Sequence, residues 1–174
     1  MKVFHNKVFS IETQLADVEG VECYLPKETV IVETPDGRRL PRVRPAIAGL
    51  LFVKCCEDML QQVKELARGA AMFYPAPDGT PARIRDHEML MFKMVTSSGD
   101  TGLEYLGDDA ANYSVGQRVR VLEGVFKGAE GRIRRIHGNR RLVVSVSGIC
   151  AVATSYIPAC FLEKLPDSDS PGDI

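Results

Sequence analysis

The sequence of 174 residues lacks the features that mark membrane proteins and disulfide-rich secreted proteins. No apolar stretch approaches the ~20 residues that a membrane-spanning helix needs. The first residues, Met1–Asn6, do not begin the apolar segment of a signal peptide. We therefore expect a cytoplasmic protein that makes no contact with a membrane.

Residues that carry chemistry are also sparse. The five cysteines include the adjacent pair Cys55 and Cys56 but form no CxxC motif, and the three histidines lie far apart. Buried thiols that act as small hydrophobic groups explain the cysteines better than a metal site does. No GxSxG, HExxH or P-loop motif is present. We expect no catalytic residue, no metal, no cofactor and no enzymatic activity.

Charge is unevenly distributed along the chain, although the net charge is only −1. Between Ser114 and Arg141, eight basic residues stand against two acidic ones. Such segregation is typical of a cationic surface. The surface either contacts nucleic acid or a partner, or it only keeps a small domain soluble. The basic residues of this segment are Arg118, Arg120, Lys127, Arg132, Arg134, Arg135, Arg140 and Arg141.

Strand-like and helix-like patterns alternate over residues 1–107. Apolar residues at helical spacing predict one helix after Asn6, one around Val63 and one after Asp86. The apolar run Gly49–Val53 is the best candidate for a central strand. The order of elements predicts an α+β sandwich of the βαββαβ type. The other predicted strands are Met1–His5, Val21–Leu25, Thr29–Glu33 and Ala71–Tyr74.

A basic arm follows the turn predicted at Pro35–Gly37. Pro41 and Pro45 confine this arm to a sheet edge or a loop, because proline has no amide hydrogen to donate to a neighbouring strand. The arm is a second candidate for contact with nucleic acid or a partner. Its basic residues are Arg38, Arg39, Arg42 and Arg44.

The chain after residue 113 lacks helical periodicity. Gly124, Gly128 and Gly131 interrupt two alternating apolar runs and supply turns or bulges that need a positive φ. Several short strands at close spacing favour a five-stranded β-barrel, in which we expect Phe126 to be buried.

These patterns predict two domains. The first, residues 1–107, is the α+β domain, and the second, residues 114–165, is the β-barrel. A short acidic linker, residues 108–113, joins them, and the composition of residues 166–174 predicts a disordered tail.

Both domains resemble those of NusG-family transcription elongation factors. Arg44–Val53 resembles the central strand of the family's N-terminal (NGN) domain, and Gly116–Gly131 resembles the KOW motif. Asn139–Val146 and Ala151–Pro158 look closest to specialised paralogs of the UpxY type, which are antiterminators of capsular polysaccharide operons. The resemblance extends to Leu165, and it implies an NGN-type sandwich followed by a KOW barrel.

The resemblance implies a non-catalytic factor that binds the clamp helices of the largest RNA polymerase subunit and suppresses pausing or termination. An exposed apolar patch on a small domain suits that role. Each residue that matches this surface could instead be buried in the core of its own domain. The positions that match the polymerase-binding surface are Phe4, Ile47, Leu50 and Phe73.

The chain departs from the family pattern in two places. It has no tryptophan, and Met1 stands where the family's first strand has already begun. The resemblance also implies that Ile149 takes the place of the aromatic residue with which the KOW domain contacts a ribosomal protein.

A second function stays open from the sequence, that of a KOW-type module that binds RNA or the ribosome on its own. The acidic balance outside the barrel and the small number of aromatic residues for base stacking argue against it. The elongation factor is therefore the preferred interpretation.

Overall fold

The structure, a computed structural model, describes residues 1–4, 6–106, 116–146 and 148–166. The chain forms two compact units, Met1–Arg83 and Ile84–Ile174. The helix predicted after Asp86 therefore belongs to the second unit, although the sequence patterns placed it in the first domain. The predicted linker and all but the first residue of the predicted tail lie outside the described residues, and the domain boundary after residue 107 stays a prediction.

The first unit is a small α+β unit. Its helix α1 (Val8–Ala16) buries Val8, Ile11 and Leu15, which follow helical spacing as predicted. A 3-10 turn leads into the second helix. The elements are β1 (Lys2–Val3), α1, β2 (Glu22–Tyr24), β3 (Lys27–Glu33), β4 (Arg39–Pro45), β5 (Phe52–Lys54), α2 (Leu60–Leu66) and β6 (Ala71–Met72).

Short antiparallel pairings build the sheet of the first unit. β1 pairs with β6, and β2 pairs with β5. An isolated bridge between Lys2 and Leu50 brings these two pairs together. The predicted central strand is thus confirmed, with its regular part beginning at Phe52.

One face of this sheet packs against both helices. Leu15 of α1, Leu51 beside β5 and Val63 of α2 expose no surface and belong to a single apolar cluster. Full burial of each such side chain contributes about 1.5–3 kcal/mol. This cluster is the core of the first unit.

Strands β3 and β4 form a two-stranded ribbon that pairs along its whole length, from Lys27 opposite Pro45 to Glu33 opposite Arg39. Most of its residues are exposed on both faces. The predicted turn lies between the two strands, with Gly37 at φ 78°. The ribbon confirms that the proline-containing arm is an edge strand.

The second unit combines one helix with a β-sheet. Helix α3 (Asp86–Thr96) contacts the neighbouring strands β10 and β11, and it buries Met91, Phe92 and Val95. Met91 is among its buried residues, so this helix uses methionine to fill the core. The strands are β7 (Glu104–Leu106), β8 (Arg118–Val121), β9 (Glu130–Ile136), β10 (Asn139–Val146), β11 (Cys150–Tyr156) and β12 (Leu162–Lys164).

The prediction of a closed five-stranded barrel is wrong. The sheet has six strands in the order β12-β8-β9-β10-β11-β7, and every neighbouring pair is antiparallel. Among the described residues, its outer strands β12 and β7 do not pair with each other, so the sheet is open. The extra strand, β7, comes from a segment that the sequence patterns had assigned to the first domain.

Two side chains complete the interior of the second unit. Phe126 is buried, as predicted, and exposes 4% of its surface. Thr154 is buried at a shift in the β10–β11 register, where its hydroxyl accepts a hydrogen bond from the Leu142 amide (3.1 Å) and donates one to the Ser155 carbonyl (2.8 Å). The hydroxyl thus satisfies a backbone donor that the interrupted ladder leaves unpaired.

No helix in the part of the chain that the structure describes is long and apolar enough to cross a membrane.

Candidate functional site

Three of the predicted polymerase-binding residues, Phe4, Ile47 and Leu50, lie where β1 meets the turn before β5. The Val3 amide donates to the Gly49 carbonyl (2.7 Å), and the Leu50 amide donates to the Ile47 carbonyl (3.2 Å). This places the turn Ile47–Leu50 beside Val3 and Phe4. Phe4 and Ile47 are half-buried, so part of each side chain faces solvent.

Gly49 makes this approach of the two backbones feasible. Its φ is 68°, and a Cβ atom at this position would lie 2.5 Å from the Val3 carbonyl oxygen. Only glycine combines the positive φ with the missing side chain that the contact needs.

Leu50 does not belong to an exposed surface in this structure. Its side chain exposes 1% of its area. Because Lys2 is bridged to Leu50 and paired with Met72, these three side chains share the sheet face opposite the core cluster. Leu50 therefore supports the turn from below, and Phe4 and Ile47 supply the accessible apolar area.

Phe73 lies on the other face of the sheet. It packs against the core cluster together with Ala71 and Val53. The structure thus separates Phe73 from Phe4 and Leu50, which the sequence had grouped together. The alternation of side chains along a strand did not predict this from the sequence, because β6 is only two residues long and ends before Phe73.

The basic residues of the ribbon are exposed, and two of them are paired. The Arg44 Nε atom lies 2.7 Å from a Glu28 carboxylate oxygen, and the Arg38 Nε atom lies 3.1 Å from Asp36. Within the described residues, Arg39 and Arg42 form no ion pair. The ribbon therefore presents two unpaired cations to solvent.

The ribbon also carries apolar side chains that the sequence analysis did not single out. Ile31, Leu40 and Val43 each expose about half of their surface. Ile31 lies opposite Pro41, and Val43 lies opposite Thr29, so Ile31 and Val43 share one face. The apolar run Val30–Val32 was the signal in the sequence for these side chains.

Part of the cationic surface predicted for the second unit is paired with Glu130. The Arg120 Nη2 atom lies 2.7 Å from the Glu130 carboxylate, the Arg118 Nη2 atom 3.1 Å and the His87 Nε2 atom 3.5 Å. Burial alone would raise the pKa of Glu130, but the hydrogen bonds and charge of Arg120 outweigh it and lower the pKa, with help from His87 and Arg118. The Glu130 amide also donates to the Met91 sulfur (3.1 Å), so this residue joins β8, β9 and α3.

Two further arginines are held inside the second unit. The Arg132 Nη1 atom donates to the Gly116 carbonyl (2.7 Å), and the Arg141 Nη1 atom lies 2.9 Å from the Glu104 carboxylate. These arginines stabilise the sheet and are not displayed for a partner.

The remaining basic residues lie mainly on the β9–β10 hairpin. Arg135 pairs in register with Arg140, and Arg134 pairs with Arg141. Arg135 and Lys127 are exposed, whereas Arg134 and Arg140 are half-buried. Like charges directly opposite each other destabilise a hairpin. Because Arg118, Arg120 and Arg141 form ion pairs, the cationic area of this unit is smaller than the sequence predicted.

Ile149 is buried and exposes 5% of its surface. It follows Gly148 in the turn between β10 and β11, where its amide donates to the Val146 carbonyl (3.1 Å). A side chain in this position does not present an apolar contact to a ribosomal protein.

The described residues show neither a metal-binding cluster nor an activated thiol. No three His, Cys, Asp or Glu side chains among them lie close enough together to hold a metal ion. Burial raises the pKa of the Cys23 and Cys55 thiols, which favours their inert, protonated form.

Glu130 offers a test of the ion-pair cluster. Replacing it with glutamine should lower the free energy of unfolding at neutral pH by about 1–3 kcal/mol, because two arginines lose a charged acceptor. Since the folded protein lowers the pKa of Glu130, its contribution is present above the unfolded value near 4.5 and is lost as the pH falls through the lower folded value.

Chemical denaturation at a series of pH values measures this effect. The deficit of Glu130→Gln should be full at pH 7 and should disappear in acid. Glu163→Gln is the matched control, because Glu163 lies 3.5 Å from Arg120 but is half exposed, and it should cost less than about 0.5 kcal/mol. A deficit that does not change with pH would contradict the role assigned to the carboxylate.

Comparison with known families identifies the class of protein to which the chain belongs. A family model described as transcription termination factor NusG matches residues 1–93. This match covers more than half of the chain, and the chain belongs to the NusG family. The family consists of transcription elongation and termination factors that bind RNA polymerase and are not enzymes. A search of curated proteins finds no match to the chain.

The match includes all of the first unit and continues into the second. It ends at residue 93, three residues before the end of α3. The turn Ile47–Leu50 and the ribbon lie inside the matched range. All strands of the six-stranded sheet lie outside it, because the first of them begins at Glu104.

Proposed function

We propose that the chain binds the clamp helices of the largest RNA polymerase subunit and suppresses pausing or termination. The match of the NusG family model to the first unit is the observation on which this proposal rests. The contact surface in the proposal is the half-buried pair Phe4 and Ile47, held by the Gly49 backbone contact. Leu50 is buried beside this surface.

The energy required for such an effect is modest. A factor that binds the closed, processive state of the polymerase tenfold better than the paused state shifts the equilibrium by about 1.4 kcal/mol. One or two apolar side chains that become fully buried against a coiled coil supply this much.

The ribbon is the second contact region in this proposal. Arg39 and Arg42 provide cations that form no ion pair with the residues that the structure describes, and Ile31 and Val43 provide apolar area on one face. A mixed surface of this kind suits a partner protein or nucleic acid held near the polymerase.

We also propose that the target genes are capsular polysaccharide operons. The support is the likeness of Asn139–Val146 and Ala151–Pro158 to the UpxY-type antiterminators. These segments form most of the neighbouring strands β10 and β11 of the second unit.

Ile47→Asp tests the polymerase contact. A carboxylate placed in an apolar interface should weaken binding to core RNA polymerase by about 30-fold or more, the size expected for an interface hot spot. Co-purification with core polymerase measures the effect, and thermal melting checks that the variant is folded. Val125→Asp, at a residue of the second unit that exposes 69% of its surface, is the control.

The same experiment distinguishes polymerase binding from the alternative function, that of a KOW-type module that binds RNA or the ribosome. The exposed Arg135 and Lys127 favour this alternative. If it is correct, the chain captures RNA but no polymerase from a mixture of the two, and Ile47→Asp changes nothing. Retained polymerase binding by a folded Ile47→Asp variant would remove the proposed contact surface.

A further inference from the structure

Strand β3 has an open border on the side away from β4. Among the described residues, β3 pairs with β4 alone, in a sheet of two strands. The strand contains no proline, and most of its residues are exposed. A border of this kind accepts a further strand through main-chain hydrogen bonds.

The hydrogen bonds at the two ends of the ribbon show which backbone groups face this border. At one end the Ala46 amide donates to the Pro26 carbonyl (2.8 Å), and at the turn the Thr34 amide donates to the Arg38 carbonyl (2.8 Å). Bonded and non-bonded pairs alternate along antiparallel strands, so the odd-numbered residues of β3 form non-bonded pairs with β4. Their amides and carbonyls therefore point outward, away from β4. These residues are Lys27, Thr29, Ile31 and Glu33.

The outer border of β4 is different. Pro41 lies opposite Ile31 and Pro45 lies opposite Lys27, so each proline occupies a position whose amide would point outward. Proline has no amide hydrogen, and the row of donors on this border is interrupted. A further strand is therefore expected at β3 and not at β4.

The sequence of β3 is complementary to a second copy of itself in the antiparallel direction. When the two Val30 residues lie opposite each other, Lys27 lies opposite Glu33 of the second copy, and Thr29 lies opposite Ile31. Each outward-facing residue then meets an outward-facing residue, as a hydrogen-bonded ladder requires. Opposite charges at both ends of the ladder favour this register over one shifted by two residues.

The charged residues at the ends of β3 are accessible for this contact. The Lys27 Nζ atom lies 2.9 Å from Glu12 of its own copy, but 42% of the Lys27 side chain is exposed, which leaves room for a second carboxylate. Glu33 is exposed and forms no ion pair with the residues that the structure describes. Charge complementarity therefore favours a second copy of the chain as the occupant of this border.

We propose that the chain forms a dimer in which the β3 strands of two copies pair antiparallel about a twofold axis at Val30. The result is a four-stranded sheet with the order β4-β3-β3-β4. Ile31 and Val43 of both copies lie on one face of this sheet and form a joint apolar surface. The prolines lie on both outer borders, so the pairing ends at two copies. The proposal does not depend on the polymerase contact of Phe4 and Ile47.

Sedimentation equilibrium of the full chain over a range of concentrations tests the proposal. Pairing of two strands buries little area, so we expect a dissociation constant of about 1–100 μM. Thr29→Pro removes an outward donor from β3 and should raise this constant by about tenfold or more, because the twofold axis makes the loss occur twice.

Val43→Pro is the matched control for Thr29→Pro. Val43 lies opposite Thr29, so the same change is made in the same pair but on the β4 border. It should leave the dissociation constant within about twofold, as expected for a surface substitution outside the contact. Pro41 and Pro45 show that the ribbon accommodates proline at positions of this type, and thermal melting checks that both variants are folded.

A charge reversal tests the dimer without introducing proline. Glu33→Lys places like charges opposite each other at both ends of the ladder and should weaken the dimer by about threefold to thirtyfold. The double variant Lys27→Glu/Glu33→Lys restores opposite charges and should return the affinity to within about threefold of the original. Damage to the fold would not be rescued in this way.

Val30→Cys tests the register. Opposite residues of a non-bonded pair have Cα atoms about 4.5 Å apart, which is within the range that a disulfide spans. Oxidised glutathione should therefore link two copies of this variant through residue 30. Leu40→Cys, on the outer strand, and the unmodified chain with its own cysteines are the controls, and neither should form this link.

Four outcomes overturn the proposal. The first is a chain that stays monomeric at concentrations up to about 500 μM, well above the expected dissociation constant. The second is Val43→Pro weakening the dimer as much as Thr29→Pro, and the third is a double charge variant that dimerises no better than Glu33→Lys. The fourth is Val30→Cys forming no more linked dimer than its controls.

Discussion

Replacing Phe126 with alanine is expected to lower the free energy of unfolding by about 3–5 kcal/mol. The ring exposes only 4% of its surface, so its removal loses the transfer free energy of a whole aromatic side chain and leaves a cavity. A small unit has little stability to spare, and a loss of this size is a large fraction of the total. Urea denaturation followed by circular dichroism measures the change.

The adjacent residue provides the control for Phe126. Val125 exposes 69% of its surface, and Val125→Ala should change the stability by less than about 0.5 kcal/mol. If the two variants unfold at the same urea concentration, the Phe126 ring does not pack in the interior.

Gly49→Ala is expected to destabilise the first unit by about 2–5 kcal/mol. The positive φ alone costs an alanine about 1–2 kcal/mol, and relief of the contact with the Val3 carbonyl requires a backbone shift that costs about 1–3 kcal/mol more. The shift displaces the turn Ile47–Leu50, so polymerase binding should fall together with stability.

Gly20→Ala isolates the contribution of φ. Gly20 has a φ of 82° and no atom within 4 Å of the site where a Cβ would stand. The same denaturation experiment should therefore show only the conformational cost of about 1–2 kcal/mol. Equal losses in the two variants would mean that β1 and the turn before β5 do not approach each other closely.

Local patterns in the sequence predicted the elements of the first unit well. Helical spacing identified α1, and the proline-containing arm was correctly confined to an edge. These features depend on residues close together in the chain, where side-chain periodicity and the missing amide of proline act directly. The burial of Phe126 followed in the same way from its place between glycines.

Long-range relations were harder to predict. The sequence contains the alternation of β8 to β11, but it does not state which strands lie at the edges, so an open six-stranded sheet was mistaken for a closed barrel. The apolar face of α3 was visible, yet nothing local indicated that β10 and β11 would cover it. Which strands pair, and which strands a helix packs against, depends on contacts between segments that are distant in the sequence.

The candidate site shows the same limit. Leu50 and Phe73 were grouped with Phe4 by resemblance, but burial removed Leu50 from the surface and the short β6 placed Phe73 on the other face. Glu130 is one of two acidic residues in a basic segment, and only the structure shows that it pairs with two arginines.

The prolines of the ribbon have a consequence for how the protein behaves at high concentration. A two-stranded ribbon has two open borders, and a border with a full row of amide donors recruits further strands and seeds aggregates. Pro41 and Pro45 remove donors from the β4 border. The apolar side chains Ile31 and Val43 can thus stay displayed for a foreign partner while that border resists self-association into fibrils.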